Sequence, residues 1–148
     1  MKLKVALCLS VLIAGNALAQ KSWLVTPEEM IESNKSKSQF APKVVAEPNA
    51  PKIDLLAPKL DSSVSSPTKI ELRFLPKPPA TVKPDTFKVY YGTFQINITD
   101  RITKVAKVSP QGIDVQEANL PKGNHKLTLN VEDSEGRLGS RTIEFEIK

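Results

Sequence analysis

The sequence predicts an all-β fold, two antiparallel sheets packed face to face as a β-sandwich of about seven strands, and three observations carry that prediction. From Pro51 onward, apolar side chains alternate with polar ones at period two, the spacing of strands that bury one face. Turn sequences rich in Pro, Gly, Asn and Asp interrupt the alternation, and no helix of useful length fits between them. Short strands that are apolar on one side satisfy themselves by sharing a core between two sheets.

The strands follow in chain order. Ile53 and Leu55 alternate with Lys52 and Asp54; Ile70, Leu72 and Phe74 alternate with Lys69, Glu71 and Arg73; Phe87, Val89 and Tyr91 alternate with Lys88 and Tyr90. Residues 94–98, 103–108 and 113–115 are shorter and less regular strand candidates. Leu127, Leu129 and Val131 then alternate with Lys126, Thr128, Asn130 and Glu132, and Ile143, Phe145 and Ile147 with Thr142, Glu144, Glu146 and Lys148. Pro76-Lys77-Pro78-Pro79 and Pro84-Asp85 should stop one strand before the next, while Pro110-Gln111-Gly112, Pro121-Lys122-Gly123-Asn124 and Asp133-Ser134-Glu135-Gly136 read as turns.

Ahead of this unit, residues 1–19 read as a signal peptide: a cationic MKLK, the apolar run VALCLSVLIA, and a small-residue end with Ala17 and Ala19 where a peptidase reads. Cleavage is expected after Ala19. The apolar run is ten residues long, whereas a bilayer span takes about 20, so stable membrane insertion after cleavage is not expected. Cys8 lacks the small-residue context of a lipoprotein acceptor. Cleavage removes Lys2, Lys4 and the one cysteine, leaving 129 residues with 19 basic and 16 acidic side chains, a net charge of +3 rather than the +5 of the full chain. That surplus is too small for the concentrated basic stripe of a nucleic-acid binder. One His and no remaining thiol also exclude a disulfide scaffold, a histidine metal cage and a haem site. A periplasmic or secreted protein is the expectation.

Residues 20–50 form a polar stretch with one apolar patch near its front. Thr26-Pro27-Glu28-Glu29 is a helix start: Thr26 can cap, Pro27 suits the first turn, Glu29 can reach back to the Thr26 amide, and Val25 and Met30 stand at staple spacing. The helix predicted over 27–34 is too short to be stable alone and must dock or fray. Residues 35–50, with Pro42 and Pro48, read as a flexible connector. The domain reading is therefore 1–19 signal peptide, 20–50 short helix and linker, 51–148 sandwich.

The stretch from Leu120 to Arg137 follows the pattern L-P-x-G-x-H/Y-x-L-x-V-x-V-x-D-x-x-G and resembles the late strands of bacterial immunoglobulin-like and cadherin-like domains. Pro51-Lys52-Ile53-Asp54-Leu55-Leu56-Ala57-Pro58, and the Ser65-Ser66-Pro67 step into Ile70, look like the first two strands of such domains. The resemblance covers about 51–148 and implies an immunoglobulin-like sandwich, without the paired cysteines and core tryptophan of antibody domains. With Trp23-Leu24-Val25-Thr26-Pro27-Glu28-Glu29 ahead of one such domain, the whole chain resembles small exported bacterial proteins, a likeness that carries no mechanism.

Five constellations could carry chemistry or recognition. His125 could serve a hydrolase with Ser134 and Asp133 or Asp100, yet no G-x-S-x-G elbow accompanies it and a structural role fits better. Asp61, Asp100, Asp133 and Glu135 lie at loops, but without a clustered motif they read as solvated turn carboxylates rather than calcium ligands, so no metal site, cofactor or catalytic residue is expected. Thr99-Asp100-Arg101 reads as a local ion pair or cap. Tyr90 falls out of phase with Val89 and Tyr91 and should point away from the core, which makes it the candidate sugar platform, with Tyr91 and Phe94 beside Gly92. Trp23, Leu24, Val25, Met30 and Ile31 need cover, either by docking on the sandwich or by meeting a partner from a tether. The sequence thus reads as an exported, non-enzymatic immunoglobulin-like module for binding or structural support in the bacterial cell envelope. Its partner is an envelope protein or glycan, and the contact candidates are Trp23, Leu24, Met30 and Tyr90. A carbohydrate-binding accessory domain and, more weakly, a hydrolase using His125 are the alternatives.

Overall fold

The structure is a computed structural model that describes residues 22–35 and 47–148; the leader and most of the connector expected from sequence lie outside them. The alternating segments form two four-stranded sheets among the described residues. Strands β1 (Lys52–Ala57), β2 (Thr68–Leu75), β5 (Val108–Ser109) and β6 (Gly112–Ala118) make the first sheet in the order β1-β2-β6-β5. The second, in the order β4-β3-β7-β8, holds β3 (Val82–Tyr91), β4 (Ile96–Asn97), β7 (Gly123–Asp133) and β8 (Leu138–Ile147). Every neighbouring pair of these strands is antiparallel. This is the all-β sandwich that the period-two pattern predicts.

The inward positions of that alternation make the core. Ile53, Ile70, Leu72, Phe74, Ile113 and Val115 of the first sheet meet Phe87, Val89, Leu127, Leu129, Val131 and Ile143 of the second, all buried. Phe74 and Phe87 touch across the gap with ring centroids 5.6 Å apart. Each large apolar side chain taken out of water contributes about 1.5 to 3 kcal/mol, which makes this layer the main source of stability in a chain without disulfides.

Two local readings are corrected. Pro84-Asp85 does not separate strands but lies inside β3, where the ladder to β7 shifts register between Lys83 and Lys88. A proline has no N–H to donate, and the bulge takes it out of the ladder. Thr86 fills the gap: its hydroxyl donates to the Lys83 carbonyl at 2.7 Å and accepts the Glu132 amide at 2.9 Å. The second correction concerns residues 103–108, expected as a strand. The chain instead forms a short helix α2 (Thr99–Thr103) and a turn before β5, because Ile98 and Ile102, both buried, stand four residues apart on one helical face. Asn97 Oδ1 accepts the Thr99 amide at 3.0 Å where the helix starts, and the Thr99 hydroxyl accepts the buried Val89 amide at 2.9 Å.

The segment before the sandwich packs against it. Helix α1 (Pro27–Lys35) opens on the expected capping box: the Thr26 amide donates to Glu29 Oε2 at 2.9 Å and the Glu29 amide to the Thr26 hydroxyl at 3.3 Å. Leu24 and Val25 join the core, Val25 with 0% exposure. The Leu24 amide donates to the Asn119 carbonyl at 3.0 Å, fixing this stretch beside the connection between β6 and β7.

Candidate functional site

Alternation that buries one face of β3, β7 and β8 turns the opposite side chains outward. Tyr90 on β3, Thr128 on β7 and Thr142 on β8 stand opposite one another in register and form one cross-strand row; Lys88, Asn130 and Ser140 form the next. Above this face runs an open groove of about 1340 Å³, walled by residues 49–54 and 75–78 and by Leu138. Tyr90, Thr128, Asn130, Ser140 and Thr142 all line it. The volume exceeds the roughly 300–1,000 Å³ of an ordinary small-molecule pocket, which suits an extended ligand.

Of the four cations that line the groove, two are ion-paired among the described residues. Lys126 Nζ lies 2.9 Å from Glu144 Oε1. Arg141 Nη1 donates to the Ile53 carbonyl at 2.7 Å and stands 3.5 Å from Asp54 Oδ1, and Lys77 is hydrogen-bonded to Asn49. The floor is hydroxyl and amide: the Thr128 and Thr142 hydroxyls face each other at 3.4 Å, and Asn130 Oδ1 is shielded from solvent without a hydrogen-bond partner. An acceptor left so is costly, about 1 to 3 kcal/mol, and is eased by any donor that reaches it.

Of the sequence-derived contact candidates, Tyr90 is half-buried and lines the groove. Leu24 is spent inside the core, Met30 packs partly against it, and Trp23 is half-buried. Phe94, which could have joined the core, stays 55% exposed in the β3–β4 turn. The four candidates are not brought together: three belong to the N-terminal segment, and Tyr90 alone lines the groove.

His125 is 2% exposed, and both ring nitrogens are engaged. Nε2 lies 2.7 Å from the Pro121 carbonyl, which can only accept, so this nitrogen carries the proton; Nδ1 then accepts the Tyr91 hydroxyl at 3.0 Å. Burial lowers the His125 pKa, against the pull of the Pro121 carbonyl, and keeps the ring neutral. Burial also pushes the Tyr91 hydroxyl up to about 12, with the nearby Glu29 charge adding to the shift. Neither Ser134 nor Asp100 is a partner of the ring, and Asp133 is buried in its own hairpin. There burial opposes the Asp133 charge, but the Arg137 and Glu135 amides and the Arg137 guanidinium outweigh it and hold the carboxyl below its ordinary value. No serine among the described residues is hydrogen-bonded to His125, and the triad reading requires one. Among the described residues no group of three or more His, Cys, Asp or Glu side chains is placed to hold a metal ion, and no helix is long and apolar enough to cross a membrane.

Sequence reasoning missed the floor residues Thr128, Asn130, Ser140 and Thr142. The available signal was chemical: outward positions on β2 carry Lys69, Glu71 and Arg73, whereas on β7 and β8 Thr128, Asn130, Ser140 and Thr142 interrupt the charged outward positions Lys126, Glu132, Glu144 and Glu146 with hydroxyls and an amide. It also missed the partner of Arg101, which is Glu29 rather than its neighbour Asp100.

Neither a protein-family model nor a curated protein matches the chain. Among solved structures, CopC from Methylosinus trichosporium OB3b is similar at 20% identity, covering 64% of this chain and 89% of that one, with a TM-score of 0.44.

Proposed function

We propose that this chain is an exported, non-enzymatic immunoglobulin-like module of the bacterial cell envelope, and that it binds through the groove on the outer face of the second sheet. The observation that carries the reading is that Tyr90 and the hydroxyl and amide residues Thr128, Asn130, Ser140 and Thr142 line one groove. Three further features support it. The inner faces of both sheets are consumed by the core, so recognition falls to outward positions. Leu24 and Val25 are buried within the chain, which favours docking of this segment over its display on a tether. The cationic, apolar and small-residue succession of residues 1–19 supports export.

The test is photo-crosslinking in intact cells, with a photoreactive phenylalanine analogue placed at Tyr90 or, on the exposed side of the first sheet, at Gln116. Adducts from the Tyr90 position and none from Gln116 are the expected result. Adducts from Gln116 alone, or none from Tyr90, overturn the assignment of the binding face.

A further inference from the structure

Resting on the reading of the groove as the binding face, we infer that its ligand is an uncharged polyhydroxylated chain, a neutral glycan. Charge comes first. Lys126 and Arg141 are ion-paired with Glu144 and Asp54, and Lys77 is hydrogen-bonded to the neutral Asn49. Lys52 and Lys77 have no ion pair among the described residues, while the Glu47 and Asp54 carboxylates stand in the same lining, so the rim mixes both signs. A polyanion would meet those carboxylates and have to part the Lys126 and Arg141 pairs to gain their charges, whereas a neutral chain leaves the mixed rim as it is.

The floor has the complementary chemistry. A hydroxyl or amide side chain both donates and accepts, as a sugar hydroxyl does, and Thr128, Asn130, Ser140 and Thr142 place four of them together. The row of Tyr90, Thr128 and Thr142 and the row containing Asn130 and Ser140 lie two residues apart along the strands, about 7 Å. Tyr90, between Asn97 of β4 and Thr128 of β7 in its row, supplies an aromatic ring on which the C–H face of a sugar can rest while its hydroxyls reach the polar row beside it.

An extended peptide is the competing occupant. Peptides that add to sheets are held through main-chain bonds at a free edge. Here β8 ends its sheet and its residues 138–142 line the groove, so a peptide would take that edge through main-chain bonds rather than the side-chain rows, and the titration below separates the two.

The experiment follows amide shifts by NMR in isotope-labelled protein, purified as the cell processes it. Four probes are titrated: cellohexaose, chitohexaose, a hyaluronate hexasaccharide and an uncharged hexapeptide of Ser, Ala and Pro. Shifts at Tyr90, Thr128, Asn130 and Ser140 with either neutral oligosaccharide are expected, with affinity falling about tenfold in Tyr90→Ala and largely kept in Tyr90→Phe. A folded Tyr90→Ala spectrum accompanies the measurement, and Thr128→Ala, at the centre of the same row, supplies a second variant expected to weaken binding. Shifts in the groove with hyaluronate or the peptide, and none with the neutral sugars, overturn the glycan while the groove stands. Shifts that map elsewhere, or no groove shift with any probe, overturn both.

Discussion

Glu29 and Arg101, 72 residues apart in sequence, face each other through two hydrogen bonds of 2.7 Å each. Arg101 Nη1 also donates to the Leu24 carbonyl at 3.0 Å, and Glu29 Oε2 also accepts the Thr26 amide that opens α1. One guanidinium therefore fastens the helix start and the chain just before it to α2. The hydrogen bond from Arg101 holds the Glu29 carboxyl below its ordinary value, against burial and with help from the Thr26 amide.

Arg101→Ala is expected to lower stability by about 1 to 2 kcal/mol, since the bridge is partly solvated and a main-chain acceptor is lost with it. Arg101→Lys keeps the charge but not the fork and should fall between. Urea denaturation measures the loss, and limited proteolysis should cut the alanine variant first within residues 22–35. Unchanged stability and an unchanged first cut would remove the fastening role.

Gly92 is the second point of attachment. Its φ of +68° belongs to the left-handed region, and a Cβ there would stand 2.0 Å from Ser33 Oγ. Ser33 uses that closeness: its hydroxyl accepts the Thr93 amide at 3.1 Å, and its carbonyl accepts the Thr93 hydroxyl at 3.0 Å. Gly136 has a similar φ of +76° with nothing within 4 Å of its added Cβ. Gly136→Ala should therefore cost only the backbone term, about 1 to 2 kcal/mol, and Gly92→Ala measurably more. Ser33→Gly should return part of the excess in the Gly92→Ala background. Equal losses for the two glycine variants in thermal denaturation would contradict the packing of α1 on this turn.

These contacts show where sequence reasoning stops. The strands are legible because a face buried against one partner sheet imposes period two on its own residues, as from Leu127 to Val131. Helix α1 is legible because its capping box is local. The Glu29–Arg101 pair joins segments that only the fold brings together, and nothing near Arg101 distinguishes it from a residue paired with Asp100. β3 runs past its apparent stop because Thr86 supplies hydrogen bonds that a rule about proline does not count. The groove escaped notice for a different reason. Its floor consists of outward polar side chains, which in sequence look like any solvated strand face, and its walls come from segments 49–54 and 75–78 that lie far from it along the chain.

His125 makes the fold sensitive to acid. Its pKa in the folded state is below the ordinary 6.5, so the unfolded chain binds the proton first as pH falls. The contribution is complete above the ordinary value and is lost progressively below it, until the folded state also takes the proton. Glu29 and Asp133, likewise lowered, act in the same direction in the carboxylate range. Denaturation midpoints should fall between about pH 7 and pH 5, and His125→Gln should flatten that slope whatever it costs in absolute stability. An unchanged slope in the variant would show that the ring does not titrate with unfolding.

Tyr91 acts at the other end of the scale. With its folded-state pKa raised from 10.0 to about 12, the unfolded chain loses the proton first as pH rises. The stabilisation is present below pH 10 and is lost as pH climbs toward 12, on the order of 2 kcal/mol over the interval. Tyr91→Phe should remove this alkaline limb, read by denaturation at a series of alkaline pH values. A limb that persists unchanged in Tyr91→Phe would assign it to other groups.

Hydrogen exchange of the purified chain most directly tests whether the N-terminal stretch belongs to the sandwich and so leaves recognition to the sheet face. The Leu24 amide, bonded to the Asn119 carbonyl, and the Met30 amide, bonded to the Thr26 carbonyl, should exchange far more slowly than an unstructured peptide and slow further with added stability, as the β7 amides do. Exchange of both at the rate of a free peptide, while β7 stays protected, would contradict the docked arrangement and return Leu24 and Met30 to the solvent.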